Sequence, residues 1–147
     1  MATTCTGLLP EALVIDLPEV DAQHEEIFVR LEALKAACFD ANANCLDEFE
    51  RLLRFFEFHF ATEEELAVQA GLDFSVHRTA HRDNLRVLVR AFDEVRSGRR
   101  DGYSFLRYVE SWFERHIAHD DKPFAASLQM LRKSPRQLAR PTSQPSL

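Results

Sequence analysis

Apolar residues recur at spacings of three and four along four stretches of the chain, the signature of amphipathic helices that each bury one face. The first stretch opens at Pro18-Glu19-Val20-Asp21, a helix start with acids in its first turn. It carries a stripe of His24, Ile27, Phe28, Leu31, Leu34 and Cys38. A turn containing Asn42 and Asn44 leads to a second stripe of Phe49, Leu52, Leu53, Phe56, His59, Phe60, Glu63 and Leu66, closed by Gly71. The third runs from about Phe74 to Arg96 through His77, His81, Leu85, Leu88, Phe92 and Val95, and Ser97-Gly98 ends it. The fourth starts at about Asp101 and turns Phe105, Tyr108, Val109, Trp112 and His116 inward. Pro123 is expected to interrupt it, with a short fifth helix over 123–133. Residues 1–17 read as an irregular lead, and 134–147 as a disordered tail of little apolar content.

Short connections force successive helices to reverse direction, so the pattern predicts an all-α fold: an up-down-up-down antiparallel four-helix bundle with a short C-terminal helix, one domain over 1–133. That topology has a chemical consequence. His24 lies near the start of the first helix, and His59 and Glu63 lie toward the end of the second. His77 and His81 open the third helix, and His116 closes the fourth. All of them fall at one end of the bundle. Residues four apart share a helical face, so His59 with Glu63 and His77 with His81 can each aim at a common point. Burying five imidazoles with carboxylates and no compensating cation would cost on the order of a kcal/mol or more for each group. The cluster therefore points to a two-metal site. Imidazole and carboxylate suit divalent iron, although five imidazoles would also bind zinc. Spacing on a regular helix favours Asp120, four after His116, as the final carboxylate, with Asp121 as its competitor.

Composition narrows the partners. The 147 residues fit a single domain, and a formal net charge of -6 disfavours nucleic acid and anionic membrane surfaces. No apolar run approaches the roughly 20 residues that span a bilayer, and no basic-then-apolar leader opens the chain, so a soluble, unexported protein with no membrane partner is expected. Cys5, Cys38 and Cys45 are odd in number and match no metal-binding spacing; they read as free thiols in a reducing cytoplasm. The row Arg78, Arg82, Arg86 and Arg90 reads as a solvated face paired with neighbouring acids. No protein partner is indicated.

Four segments carry a resemblance: Leu17-Pro18-Glu19-Val20-Asp21-Ala22-Gln23-His24, His59-Phe60-Ala61-Thr62-Glu63-Glu64, His77-Arg78-Thr79-Ala80-His81, and Trp112-Phe113-Glu114-Arg115-His116-Ile117-Ala118-His119-Asp120-Asp121-Lys122. Together they resemble the bacterial hemerythrins over residues 9–124. The resemblance implies two non-haem iron ions joined by an oxo or hydroxo bridge. His77, His81 and His116 would hold one ion, His24 and His59 the other, and Glu63 and Asp121 would bridge them. It favours Asp121 over Asp120 and so implies that the helix ends or loosens after His116. It also implies reversible dioxygen binding at the ion with fewer ligands, for storage, delivery or sensing rather than enzymatic turnover. A di-iron redox enzyme acting on peroxide or nitric oxide, or a sensory module working through a separate partner, would use the same site.

Phe28, Phe56, Phe60, Trp112, Phe113 and Ile117 are the expected lining of the dioxygen pocket, and Ala118, small for its position, is expected to widen it. His119, off the ligand face, is expected to be exposed or to support a ligand. The chain departs from the usual pattern at Leu9, where a Trp is common, near Asp16, where a Gly is common, and at Ala67, often a methionine.

Overall fold

The computed structural model describes residues 9–38 and 45–133. Its helices are α1 (Pro18–Ala37), α2 (Leu46–Ala70), α3 (Ser75–Arg96), α4 (Gly102–His116) and α5 (Lys122–Lys133), and no strand occurs among the described residues. The expected turn at Asn42 and Asn44 and the expected disordered tail lie outside them. Helix α1 packs on α2 and α4, and α3 packs on the same two, so the four helices close a ring around one core.

Side-chain contacts fix their directions. At one end Phe49, near the start of α2, stacks on Phe92 late in α3 (5.8 Å between ring centres) and meets Phe105 early in α4 at 5.7 Å. At the other end His77, opening α3, lies 5.6 Å from His116, closing α4. Lys35 near the end of α1 pairs with Glu110 of α4 at 2.9 Å, and His24 near its start packs on Phe113 further along α4 at 5.2 Å. Consecutive helices therefore run antiparallel, giving the up-down-up-down bundle that the hydrophobic spacing predicts.

The ends follow from local chemistry. Pro18 opens α1, where the N–H it lacks has no helical partner to lose. Gly71 ends α2 at φ +74°, a left-handed turn in which Leu72 N–H donates to the Ala67 carbonyl at 2.9 Å. The Asp101 carboxylate caps α4 by accepting from Ser104 N–H at 2.9 Å.

One expectation is refined and one needs correction. Residues 9–17 are a packed strap, with Leu9, Leu13, Ile15 and Leu17 all buried. Leu9 N–H donates to Glu25 Oε1 at 2.9 Å, Ile15 N–H to Asp21 Oδ1 at 3.0 Å, and Gln129 Nε2 to the Asp16 carbonyl at 2.8 Å. Asp16 itself takes φ +62°, a left-handed conformation that favours glycine, the residue common there in the proteins the chain resembles. Tyr108 is 42% exposed rather than core, because the buried stripe of α4 runs through Phe105, Leu106, Val109, Phe113 and His116. The interruption expected at Pro123 falls just ahead of it: α4 ends at His116, an irregular turn covers Ile117–Asp121, and α5 matches the expected fifth helix. Of the arginine row, Arg78 pairs with Glu64 at 2.9 Å and Arg86 with Asp83 at 3.4 Å. No helix among the described residues is long and apolar enough to cross a membrane.

Candidate metal centre

The irregularity before Pro123 decides which aspartate turns inward. Residues Ile117–Asp121 form one turn of π-helix, marked by Lys122 N–H donating to the Ile117 carbonyl five residues back. The extra residue per turn brings the side chain five after His116 onto the ligand face. Asp121 is fully buried, whereas the Asp120 side chain is 43% exposed. Pro123 supplies the physical reason for the loosened turn, since its ring would crowd the carbonyl four residues back in a tight α-helix.

All five ligand-candidate histidines and both carboxylates converge. His24 and His59 come from α1 and α2, Glu63 from α2, His77 and His81 from α3, and His116 and Asp121 from the α4 end and the π turn. They form two groups of donor atoms: His77, His81 and His116 in one, His24 and His59 in the other, with Glu63 and Asp121 in both. Within each group the donor atoms lie within 4.8 Å of one another. The carboxylates divide their oxygens between the groups. Glu63 Oε1 lies 3.4 Å from His77 Nε2 and 3.2 Å from His81 Nε2, while Oε2 lies 3.1 Å from His59 Nε2 and 3.6 Å from His24 Nε2. Asp121 Oδ1 lies 3.1 Å from His77 Nε2 and 3.3 Å from His116 Nε2, while Oδ2 lies 3.1 Å from His24 Nε2. The Nε2 atoms of His24 and His59 approach to 3.2 Å.

These approaches leave much of the polarity unmet. Both Glu63 oxygens, Asp121 Oδ2, His81 Nε2 and His116 Nε2 are buried without a hydrogen-bond partner. Orphaned acceptors and ring nitrogens facing one another across a few ångströms are what a cation would satisfy. The electrostatics agree. Burial alone pushes the Glu63 and Asp121 carboxyls up, but the surrounding imidazoles outweigh it and hold both well below the ordinary carboxylate range. Burial pushes His59 and His81 down. His24 moves upward despite burial because it touches Asp121 and Glu63. His116 rises to about 10 against burial, through Asp120 and Asp121. The carboxylates thus favour positive charge at His24 and His116, and the residues present fit metal ions.

A family model described as the hemerythrin HHE cation-binding domain matches residues 16–128, more than half of the chain. The chain belongs to the hemerythrin family. No curated protein and no solved structure gives a match. Membership makes this a metal-binding helical domain and accounts for a buried polar cluster that an ordinary bundle core would not tolerate.

In this hemerythrin-family site the aromatic shell is divided more sharply than the sequence suggests. Phe113 touches both His24 (5.2 Å) and His59 (6.1 Å) edge-on, and Phe28 and Phe56 each lie 5.3 Å from Phe113. Ile117 is fully buried. Phe60, by contrast, stacks on His81 at 4.0 Å, although it also meets His59 at 5.6 Å, and Trp112 stacks on His116 at 5.3 Å. Trp112 therefore belongs to the three-histidine side, and Phe60 spans both. Ala118 is exposed and does not widen a buried pocket, and His119 is exposed as well.

Two residues support ligands from outside the donor set: Asp120, which helical spacing offers as a ligand, and Gln23, which the sequence does not single out. Asp120 Oδ2 lies 2.9 Å from His116 Nδ1, and Gln23, itself buried, has its Oε1 2.9 Å from His59 Nδ1. The spacing Val20, Gln23, Ile27, Leu31, Leu34 carried the signal for Gln23, which falls on the buried face of α1 although its side chain is polar.

Proposed function

We propose that the seven residues hold two non-haem iron ions joined by an oxo or hydroxo bridge, and that the protein binds dioxygen reversibly at the position held by His24 and His59. The carrying observation is the division of the carboxylate oxygens: Glu63 and Asp121 each offer one oxygen to either group, the arrangement of a bridging ligand. Five residues face one position and four the other, so the position of His24 and His59 has room for an added ligand.

Bound iron would supply the electrons that dioxygen takes up on binding and gives back on release. The chain supplies orientation and dryness. Side chains of His24, His59, Glu63 and Asp121 are 0% exposed, whereas solvent reaches His77 (11%) and His81 (6%) on the opposite side. Phe113 walls the two-histidine position, backed by Phe28 and Phe56, and an apolar wall limits the water and protons that would turn reversible binding into oxidation.

The exposure of Tyr108, one of two tyrosines in the chain, favours a carrier over a redox enzyme. Tyr103 lies at the start of α4, at the far end from His116. Neither phenol is placed to donate a proton at the site.

The test is an optical spectrum of the iron-loaded, anaerobically reduced protein, before air, after air and after oxygen removal. Visible charge-transfer bands that appear with air and vanish on deoxygenation are expected. Immediate conversion to a stable oxidised spectrum would replace the carrier with a redox enzyme or redox sensor.

A further inference from the structure

The histidine His59 is held from behind by a chain of directed hydrogen bonds. Its direction can be read from the outer end. Thr62 Oγ donates to the Phe58 carbonyl at 3.1 Å, one turn back on α2. A hydroxyl has one proton, so toward any further partner Thr62 accepts. Gln23 Nε2 lies 3.0 Å from Thr62 Oγ and donates to it. With its NH2 group turned to Thr62, Gln23 presents Oε1 to His59 Nδ1 at 2.9 Å, and a carbonyl oxygen only accepts. The proton therefore sits on Nδ1 of His59. In the neutral ring Nε2 is left with its lone pair, and it points toward Glu63 Oε2 (3.1 Å) and His24 Nε2 (3.2 Å).

We propose that Gln23 and Thr62 are positioning residues that lock the His59 ring and its tautomer, keeping Nε2 available to a metal ion. This rests on the reading of His59 as a ligand. The opposite amide orientation would turn the NH2 group toward Nδ1, force the ring proton onto Nε2 and aim it into the metal position. Thr62, as acceptor, opposes that flip. The relay spans two helices, since Gln23 lies on α1 while His59 and Thr62 lie on α2, so it also ties the ligand to the α1–α2 packing. It differs in kind from the support given to His116, whose Nδ1 faces the carboxylate of Asp120. A neutral amide behind His59 makes that imidazole the weaker donor of the two.

The test uses the full chain loaded with zinc, which is diamagnetic and needs no oxygen chemistry. Zinc affinity is read by chelator competition, and the imidazole N–H protons by NMR. Wild type should bind two zinc ions and show a slowly exchanging Nδ1–H of His59. Gln23→Leu should weaken the more loosely held ion by about 10–100-fold and expose that proton to exchange. Gln23→Glu, which keeps an acceptor, should restore the affinity. Thr62→Val, which leaves the Gln23 side chain in place but frees its amide to flip, should give a smaller loss in the same direction and serves where Gln23→Leu does not fold. Wild-type affinity and an unchanged His59 Nδ1–H in Gln23→Leu, or in Thr62→Val where that variant stands in, would overturn the proposal. A wild-type chain that takes up no zinc would overturn the underlying ligand reading instead, and the two failures are told apart by the wild-type titration alone.

Discussion

Glu63→Gln is expected to lower the metal content of the purified protein from two ions per chain to fewer than one. Glu63 faces both donor groups, Oε1 toward His77 and His81 and Oε2 toward His24 and His59. Glutamine keeps the volume but offers one oxygen and an NH2 group, whose nitrogen has no lone pair for a cation. One group therefore loses an anionic donor and gains an N–H aimed at the metal. The effect should exceed the ~10–100-fold loss typical of outer supporting residues. Asp121→Asn should behave alike, because its oxygens are divided in the same way. Asp120→Asn should stay within that ~10–100-fold range, since Asp120 reaches only His116 Nδ1, on the outer edge of the ring. Metal analysis after dialysis against a weak chelator distinguishes these cases. An Asp120 variant more damaging than the Asp121 variant would mean that the π turn is misplaced.

Stripping the metal should cost the bundle much of its thermal stability. At the bundle's metal end, buried atoms of His24, Glu63, His81, His116 and Asp121 lack partners, and a folded state with those groups unmet stands closer to unfolding. An ion present at 100 times its Kd stabilises the folded state by about 2.7 kcal/mol. Two such ions, at roughly 2–4 °C per kcal/mol for a domain somewhat larger than this one, give a shift of about 10–20 °C. Thermal unfolding followed by far-ultraviolet circular dichroism, with and without a strong chelator, measures it. Coincident melting curves would show that the cluster folds as well without a cation, and would remove the physical reason for placing one there.

The helices were legible because their cores repeat at three and four residues, and the cluster was legible because histidines and acids sat on those same stripes near helix ends that an antiparallel bundle brings together. What escaped the sequence was local geometry. A regular helix favours Asp120; Asp121 came from the family resemblance alone, and the π turn at Ile117–Asp121 is what makes it the inward carboxylate. The strap over 9–17 escaped because its buried residues, Leu9, Leu13, Ile15 and Leu17, sit in a segment that holds only a single 3-10 turn at Glu11–Leu13, too little to register as an element. Tyr108 was misplaced because its ring suggests core, whereas its position on α4 lies off the buried face. Gln23 was passed over for the converse reason, its polar side chain concealing a position on the apolar stripe.

Anomalous diffraction at the iron edge, from crystals of the iron-loaded protein, tests the central assignment most directly. Two peaks per chain are predicted, one among His77, His81 and His116 and one beside His24 and His59, with Glu63 and Asp121 reaching both. A single peak, or peaks held by surface carboxylates while the buried cluster stays without density, would contradict the di-iron site and the dioxygen chemistry proposed for it.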